Sequence, residues 1–219
     1  MKENILVYGI GTSRSLRVHW ILHELSLPYR SVDFRPRSEY AKSDEYKKIN
    51  PSGKIPSIRI GESVLTESAA ICLYLADRYG LGSFAEGVGS INRGKIYQWC
   101  LFAMTELDAH TLYTLAKHGG KYTKIYGESE VATKTAKEGF ETQILKLENK
   151  LKSGKEYLVD NTFSVADILM GTCILFALNL ELENPLEVPA NCIRYFSDLK
   201  KREAFKKASE LNYPVTVPE

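Results

Sequence analysis

The apolar periodicity of this chain changes once, and the change divides the chain in two. Before residue 81 short apolar runs alternate with helical stripes; after residue 90 the apolar residues recur at helical spacing throughout. Between them lies LGSFAEGVGS (81–90), rich in Gly and Ser and without periodicity, which reads as a domain linker. With 219 residues there is enough chain for two domains, each with its own core. The expectation is an α/β domain over 1–80, the linker over 81–90, and an all-α helical bundle over 91–219.

Within the first 80 residues, Ile5-Leu6-Val7-Tyr8 stops at Gly9 and reads as a buried strand. Val18, Ile21, Leu22 and Leu25 fall at i, i+3, i+4 and i+7, the stripe of an amphipathic helix over 15–26. Pro28 ends it, a second strand is expected over 29–34, and one short helix near 43–48. Ser57 to Ile60 and Ser63 to Leu65 are two strands joined by Gly61-Glu62, a pair that suits a type II′ hairpin. A helix is expected from Thr66 to Gly80. The order is β-α-β-α-β-β-α. A crossover helix makes the first two strands parallel, and the hairpin makes the last two antiparallel.

In the second part, Ile96, Trp99, Cys100, Ala103, Met104 and Leu107 predict one continuous helix. A charged amphipathic helix is expected over 131–152, ending at Ser153-Gly154. Residues 165–180 are apolar nearly all round, as at the centre of a bundle, and 193–208 predict one last helix.

Composition excludes several classes. A formal net charge of +2 is far from the basic excess that would make nucleic acid the main partner. Cys72, Cys100, Cys173 and Cys192 form no C-x-x-C and no metal-ligand spacing, so reduced thiols in a cytoplasmic protein are expected, and no metal. Met1 to Asn4 run straight into the first strand, leaving no room for a signal peptide. The most apolar stretch, Ile168 to Leu180, is about 13 residues against the ~20 that span a bilayer, so no membrane partner is expected.

Three stretches carry a more specific signal: Thr12-Ser13-Arg14-Ser15-Leu16-Arg17-Val18, Asn50-Pro51-Ser52-Gly53-Lys54-Ile55-Pro56, and Leu65-Thr66-Glu67-Ser68-Ala69-Ala70-Ile71. Behind them, Phe163-Ser164-Val165-Ala166-Asp167 has the i, i+3 spacing of a capping box that opens the apolar helix. In order and spacing these stretches resemble the cytosolic glutathione transferase family, and the resemblance covers essentially the whole chain. It implies a thioredoxin-like first domain that binds glutathione and a helical second domain that shapes the site of a hydrophobic electrophile. It also implies a homodimer, a detoxification role, and glutathione as co-substrate with no tightly bound cofactor.

The chemistry asked of the first motif is to favour a thiolate over a thiol. A hydroxyl donating to the sulfur anion does so, and a helix N-terminus adds positive partial charge. The resemblance implies Ser13 for this role, with Thr12 one residue away in the motif and Tyr8 at the end of the first strand as alternatives. The zeta-like pattern S-S-C-S-W-R-V is broken here by Arg14 and Leu16. No cysteine precedes Cys72, which disfavours glutaredoxin-type chemistry. In the second motif the resemblance implies a cis Pro56, with the Ile55 backbone pairing the cysteinyl unit of glutathione and Lys54 reaching the glycyl carboxylate. In the third, Ser68 would hold the γ-glutamyl carboxylate at a helix N-terminus and Glu67 would face the ammonium group. On the helix from Asn92 onward, Met104, Asp108, His110 and Tyr113 are the candidates for the electrophile side. Two other functions stay open: a glutathione-dependent peroxidase or disulfide-bond reductase, and a non-catalytic interaction module.

Overall fold

The computed structural model describes residues 4–80 and 89–213, so most of the expected 81–90 linker lies outside the described residues. The chain divides into a first compact unit, residues 1–85 with 200–219, and a second, residues 86–199.

The first unit is built on four strands, β1 (Ile5–Tyr8), β2 (Arg30–Val32), β3 (Ser57–Ile60) and β4 (Ser63–Leu65), in the spatial order β2-β1-β3-β4. β1 and β2 are parallel and the other pairings antiparallel, as the connections demand. Helix α1 (Ser13–Glu24) makes the crossover, two one-turn helices, α2 (Glu39–Lys42) and α3 (Asp44–Lys47), replace the single short helix expected there, and α4 (Ser68–Tyr79) closes the motif. This is a thioredoxin-like arrangement. Alternation along β1 sends Leu6 and Tyr8 to a core with Phe34, Ala41, Tyr46 and Ile55, while Ile5 and Val7 are buried on the other face. Gly61 opens the hairpin with φ +59, as a II′ turn requires.

The second unit is helical: α5 (Ile91–Phe102), a π-helical segment (Ala103–Leu112), α6 (Tyr113–His118), α7 (Thr123–Tyr126), α8 (Glu130–Leu151), α9 (Val165–Leu178) and α10 (Ala190–Leu199). The long helix read from Ile96 onward is therefore interrupted by a widened stretch, a form that often marks functional segments. Eleven of the 14 residues of α9 are buried, which fits its apolar circumference. Its capping box is present, with Ser164 N–H donating to Asp167 Oδ2 at 2.8 Å.

The last helix departs from expectation. Residues 193–208 form two helices, α10 and α11 (Glu203–Asn212), and α11 packs along α1 in the first unit. Two contacts fix it there: Arg202 grips Glu24 bidentately at 2.6 and 2.7 Å, and the Phe205 ring meets Trp20 edge-on at 4.9 Å. The 91–219 range read as one helical domain thus loses its C-terminal helix to the α/β unit.

Candidate functional site

The sheet register itself brings the three motifs together. Tyr8, the last residue of β1, pairs with Ser57, the first of β3, and Leu65, the last of β4, pairs with Ile58. The turn into α1, the Ile55-Pro56 turn and the start of α4 therefore lie at one end of the sheet. Two contacts tie them: an added Cβ on Gly9 would lie 2.5 Å from the Ile55 side chain, and Arg17 Nη1 donates to Ser68 Oγ at 3.2 Å.

The first turn holds three hydroxyls, and two are committed. Thr12, the N-cap of α1, accepts from Ser15 N–H at 3.0 Å, while Ser15 Oγ accepts from Thr12 N–H at 3.1 Å, a reciprocal capping box. The two hydroxyl oxygens are 2.8 Å apart, and Ser15 Oγ also lies 2.8 Å from Asn212 Oδ1. Both acceptors of the Ser15 proton, Asn212 Oδ1 and the more distant Thr12 carbonyl at 3.1 Å, only accept, so that proton points away from Thr12 Oγ1, the shorter contact to Asn212 taking it, and the Thr12 proton goes to Ser15 Oγ. Ser13 is different. It is the first helical residue, half-buried, and among the described residues none hydrogen-bonds its hydroxyl. No acidic residue sits in the first turn to oppose an anion. Tyr8 is buried, its ring packed in the sheet core 5.9 Å from that of Tyr46.

The second motif is held by its own polar network. Buried Asn50 accepts from Ser52 N–H and Oγ–H at 3.1 and 2.8 Å and donates to the Lys54 carbonyl at 2.7 Å. Tyr46 Oη donates to that carbonyl at 2.6 Å. The loop so fixed runs into a cis Ile55-Pro56 bond. The N–H and C=O of Ile55 have no partner among the described residues, and Lys54 is exposed. An extended ligand backbone can pair there as an added strand.

The third motif starts α4 two residues later than expected, because Glu67 takes φ +64, ψ 104 and ends the preceding extended chain. A non-glycine residue with this backbone carries strain of about 1–3 kcal/mol and persists where the surroundings impose it. Unlike Thr12 of α1, Glu67 gives its helix no side-chain cap, so the first N–H groups of α4 are left for another acceptor. Ser68 is buried beside them.

Two polar residues that the sequence reading did not single out reach these turns. Arg17 is fully buried, lies against Ser68, and lowers the pKa of the Cys72 thiol against a burial that pushes it up to about 12. It lies within a run, Ser15 to Leu22, that the structure buries throughout. Asn212 is the other; nothing in its local sequence marks it.

In the second unit Met104, Asp108, His110 and Tyr113 occupy the π-helical segment and the start of α6. Spacings of four and five residues put Met104, Asp108 and Tyr113 on one face under i→i+5 bonding, whereas His110 is exposed on another. Asp108 is buried, and Tyr113 carries the Lys117 ammonium 4.4 Å over its ring. An open cleft of about 660 Å³ in the first unit is lined by His23, Glu24, Pro28 and Lys207 at the opposite end of α1, away from these motifs.

Family models agree with this geometry. Residues 13–78 match the glutathione S-transferase N-terminal domain, and residues 102–203 match the C-terminal domain. The chain belongs to the glutathione S-transferase family. Glutathione S-transferase hmp2 of Hypomyces subiculosus is 27% identical over 214 residues, covering 94% of this chain and 97% of that one. The glutathione transferase URE2P6 of Phanerochaete chrysosporium, solved with oxidized glutathione, is 25% identical with a TM-score of 0.78, covering 95% and 96% of the two chains. A probable elongation factor 1-gamma 2 of Arabidopsis thaliana is 31% identical over 169 residues, covering 76% of this chain but 39% of that protein. Among the described residues no helix is long and apolar enough to cross a membrane.

Proposed function

We propose that this protein is a serine-type glutathione transferase that joins the glutathione sulfur to small hydrophobic electrophiles. The observation that carries the reading is the convergence of Ser13, Ile55 and Ser68 at one end of the sheet. Each matches a different part of one tripeptide. The uncapped start of α4, with Ser68 and the Arg17 cation behind it, takes the γ-glutamyl carboxylate; Glu67 faces the ammonium group. The unpaired Ile55 backbone takes the cysteinyl unit, and Lys54 the glycyl carboxylate. The thiol then reaches the turn and loses its proton to solvent, and the free Ser13 hydroxyl donates to the sulfur anion while the α1 N-terminus stabilises its charge. The thiolate lone pair forms the C–S bond as the electrophile's leaving group departs with its own pair. Holding both reactants replaces a bimolecular encounter. Met104, Asp108 and Tyr113 are assigned to the electrophile side, His110 only to its margin. We extend the same reading to a cytoplasmic homodimer with a detoxification role.

One observation favours a second reading. The relative from Phanerochaete chrysosporium holds oxidized glutathione, which supports chemistry on glutathione disulfides. Product analysis separates the two. With glutathione and a chlorodinitrobenzene, a thioether is expected; formation of glutathione disulfide as glutathione reduces a peroxide to an alcohol or a mixed disulfide to a thiol, without thioether, would favour the second. Failure to be retained on immobilised glutathione would leave an interaction module, as the elongation-factor relative suggests.

A further inference from the structure

Asn212 reaches the thiol turn from a point 201 residues away in the chain, and no part of the reading above uses it. It is fully buried at the end of α11. Its Oδ1 accepts from Gly11 N–H at 3.1 Å and from Ser15 Oγ–H at 2.8 Å, and its Nδ2 donates to the Thr12 carbonyl at 3.0 Å. The orientation of this amide is determined, since a backbone N–H can only donate and a carbonyl can only accept.

We infer that Asn212 is a positioning residue that sets the Gly11–Ser15 turn, and thereby the direction of the Ser13 hydroxyl, from the C-terminal helix. This rests on the reading of that turn as the thiol site. Gly11 adopts φ +86, so the turn has a backbone that its own residues do not enforce. Asn212 bonds the backbone or side chain of Gly11, Thr12 and Ser15, on both sides of Ser13, and makes no bond to the Ser13 hydroxyl. The helix that carries it is registered against α1 at two further points, Arg202 on Glu24 and Phe205 on Trp20. Those contacts hold α11 in place, and Asn212 transmits that placement to the turn. Misplacement of a reacting group by about 1 Å can cost on the order of 100-fold in rate, so a small shift here suffices to be read.

The test uses full-length Asn212→Ala and Asn212→Asp with Phe205→Leu as a control that loosens α11 without touching the turn. The readouts are kcat, KM for glutathione, and the pKa of the bound thiol by thiolate absorbance. For Asn212→Ala we expect kcat to fall by roughly 10- to 100-fold with KM little changed, and the bound thiol pKa to rise by about one unit. Asn212→Asp keeps the shape and adds a negative charge beside the turn, so its thiol pKa should rise at least as far, which keeps the test decisive if the alanine variant does not fold. Phe205→Leu should lower the melting temperature and, acting on the turn only through the placement of α11, move the thiol pKa by less than either Asn212 variant. A thiol pKa unchanged in the folded Asn212 variants, or moved equally by Phe205→Leu, overturns the positioning role while the transferase reading stands. A wild-type protein that binds glutathione without lowering its thiol pKa overturns both.

Discussion

Arg17, with no exposed surface, donates from Nη1 to the hydroxyl of Ser68 across the gap between α1 and α4. Its position at the uncapped start of α4 gives the site a fixed cation for an anionic group. Replacing Arg17 by Met keeps much of the volume and removes the charge. Affinity for glutathione should then fall at least tenfold, about 1.4 kcal/mol, with a smaller loss for a glutathione analogue whose γ-glutamyl carboxylate is amidated. Calorimetric titration of both ligands checks this, and an equal loss for the two would contradict the assignment.

Glu67 holds a strained backbone just before α4. Its φ of +64 favours glycine, so Glu67→Gly should leave stability unchanged or raise it by about 1 kcal/mol while weakening glutathione binding. Urea unfolding and retention on immobilised glutathione measure the two effects; a variant that loses stability would show that the backbone is not strained.

His19 makes the first unit acid-sensitive. It is fully buried against the Gly9 carbonyl and the Tyr29 hydroxyl, and burial lowers its pKa from 6.5 to about 4. The unfolded chain binds the proton more tightly, so this contribution is complete above pH 6.5 and is lost as pH falls towards 4. Relative to His19→Gln, the wild type should lose about 3 kcal/mol across that window.

Asp167 has the opposite sign. Burial raises its carboxyl from 3.8 to about 6, although Leu158 N–H, Ser164 and Tyr195 Oη all donate to it. Its contribution is complete below pH 3.8 and is lost as pH rises through 6. The advantage of wild type over Asp167→Asn should therefore be larger at pH 4 than at pH 6, by about 2 kcal/mol. Denaturant titrations at several pH values check both residues; a difference that does not vary with pH refutes either assignment.

The strands and hairpin were legible because alternation, Gly61-Glu62 and Pro28 are local signals that act through the backbone. The cis Pro56 was legible only through the motif around it. The start of α1 was set two residues too late, since a Thr12/Ser15 hydroxyl pair makes the capping box where a Glu or Gln usually would. The break between α10 and α11 falls at Lys200-Lys201-Arg202, with no Gly or Pro to announce it; a tertiary grip on Glu24 decides it. The π-helical stretch at 103–112 has no mark in sequence either. Arg17 and Asn212 reach the motif turns through packing alone, so periodicity could not single them out.

The central claim is that Ser13 holds the glutathione thiolate, and thiolate absorbance of the bound tripeptide against pH tests it most directly. In the wild type the bound thiol should ionise below its free pKa, Thr12→Ala should cost about 1 kcal/mol of stability with a smaller effect on that pKa, and Ser13→Ala should return it to the free value. A bound thiol whose pKa is the same in wild type and Ser13→Ala would contradict the account.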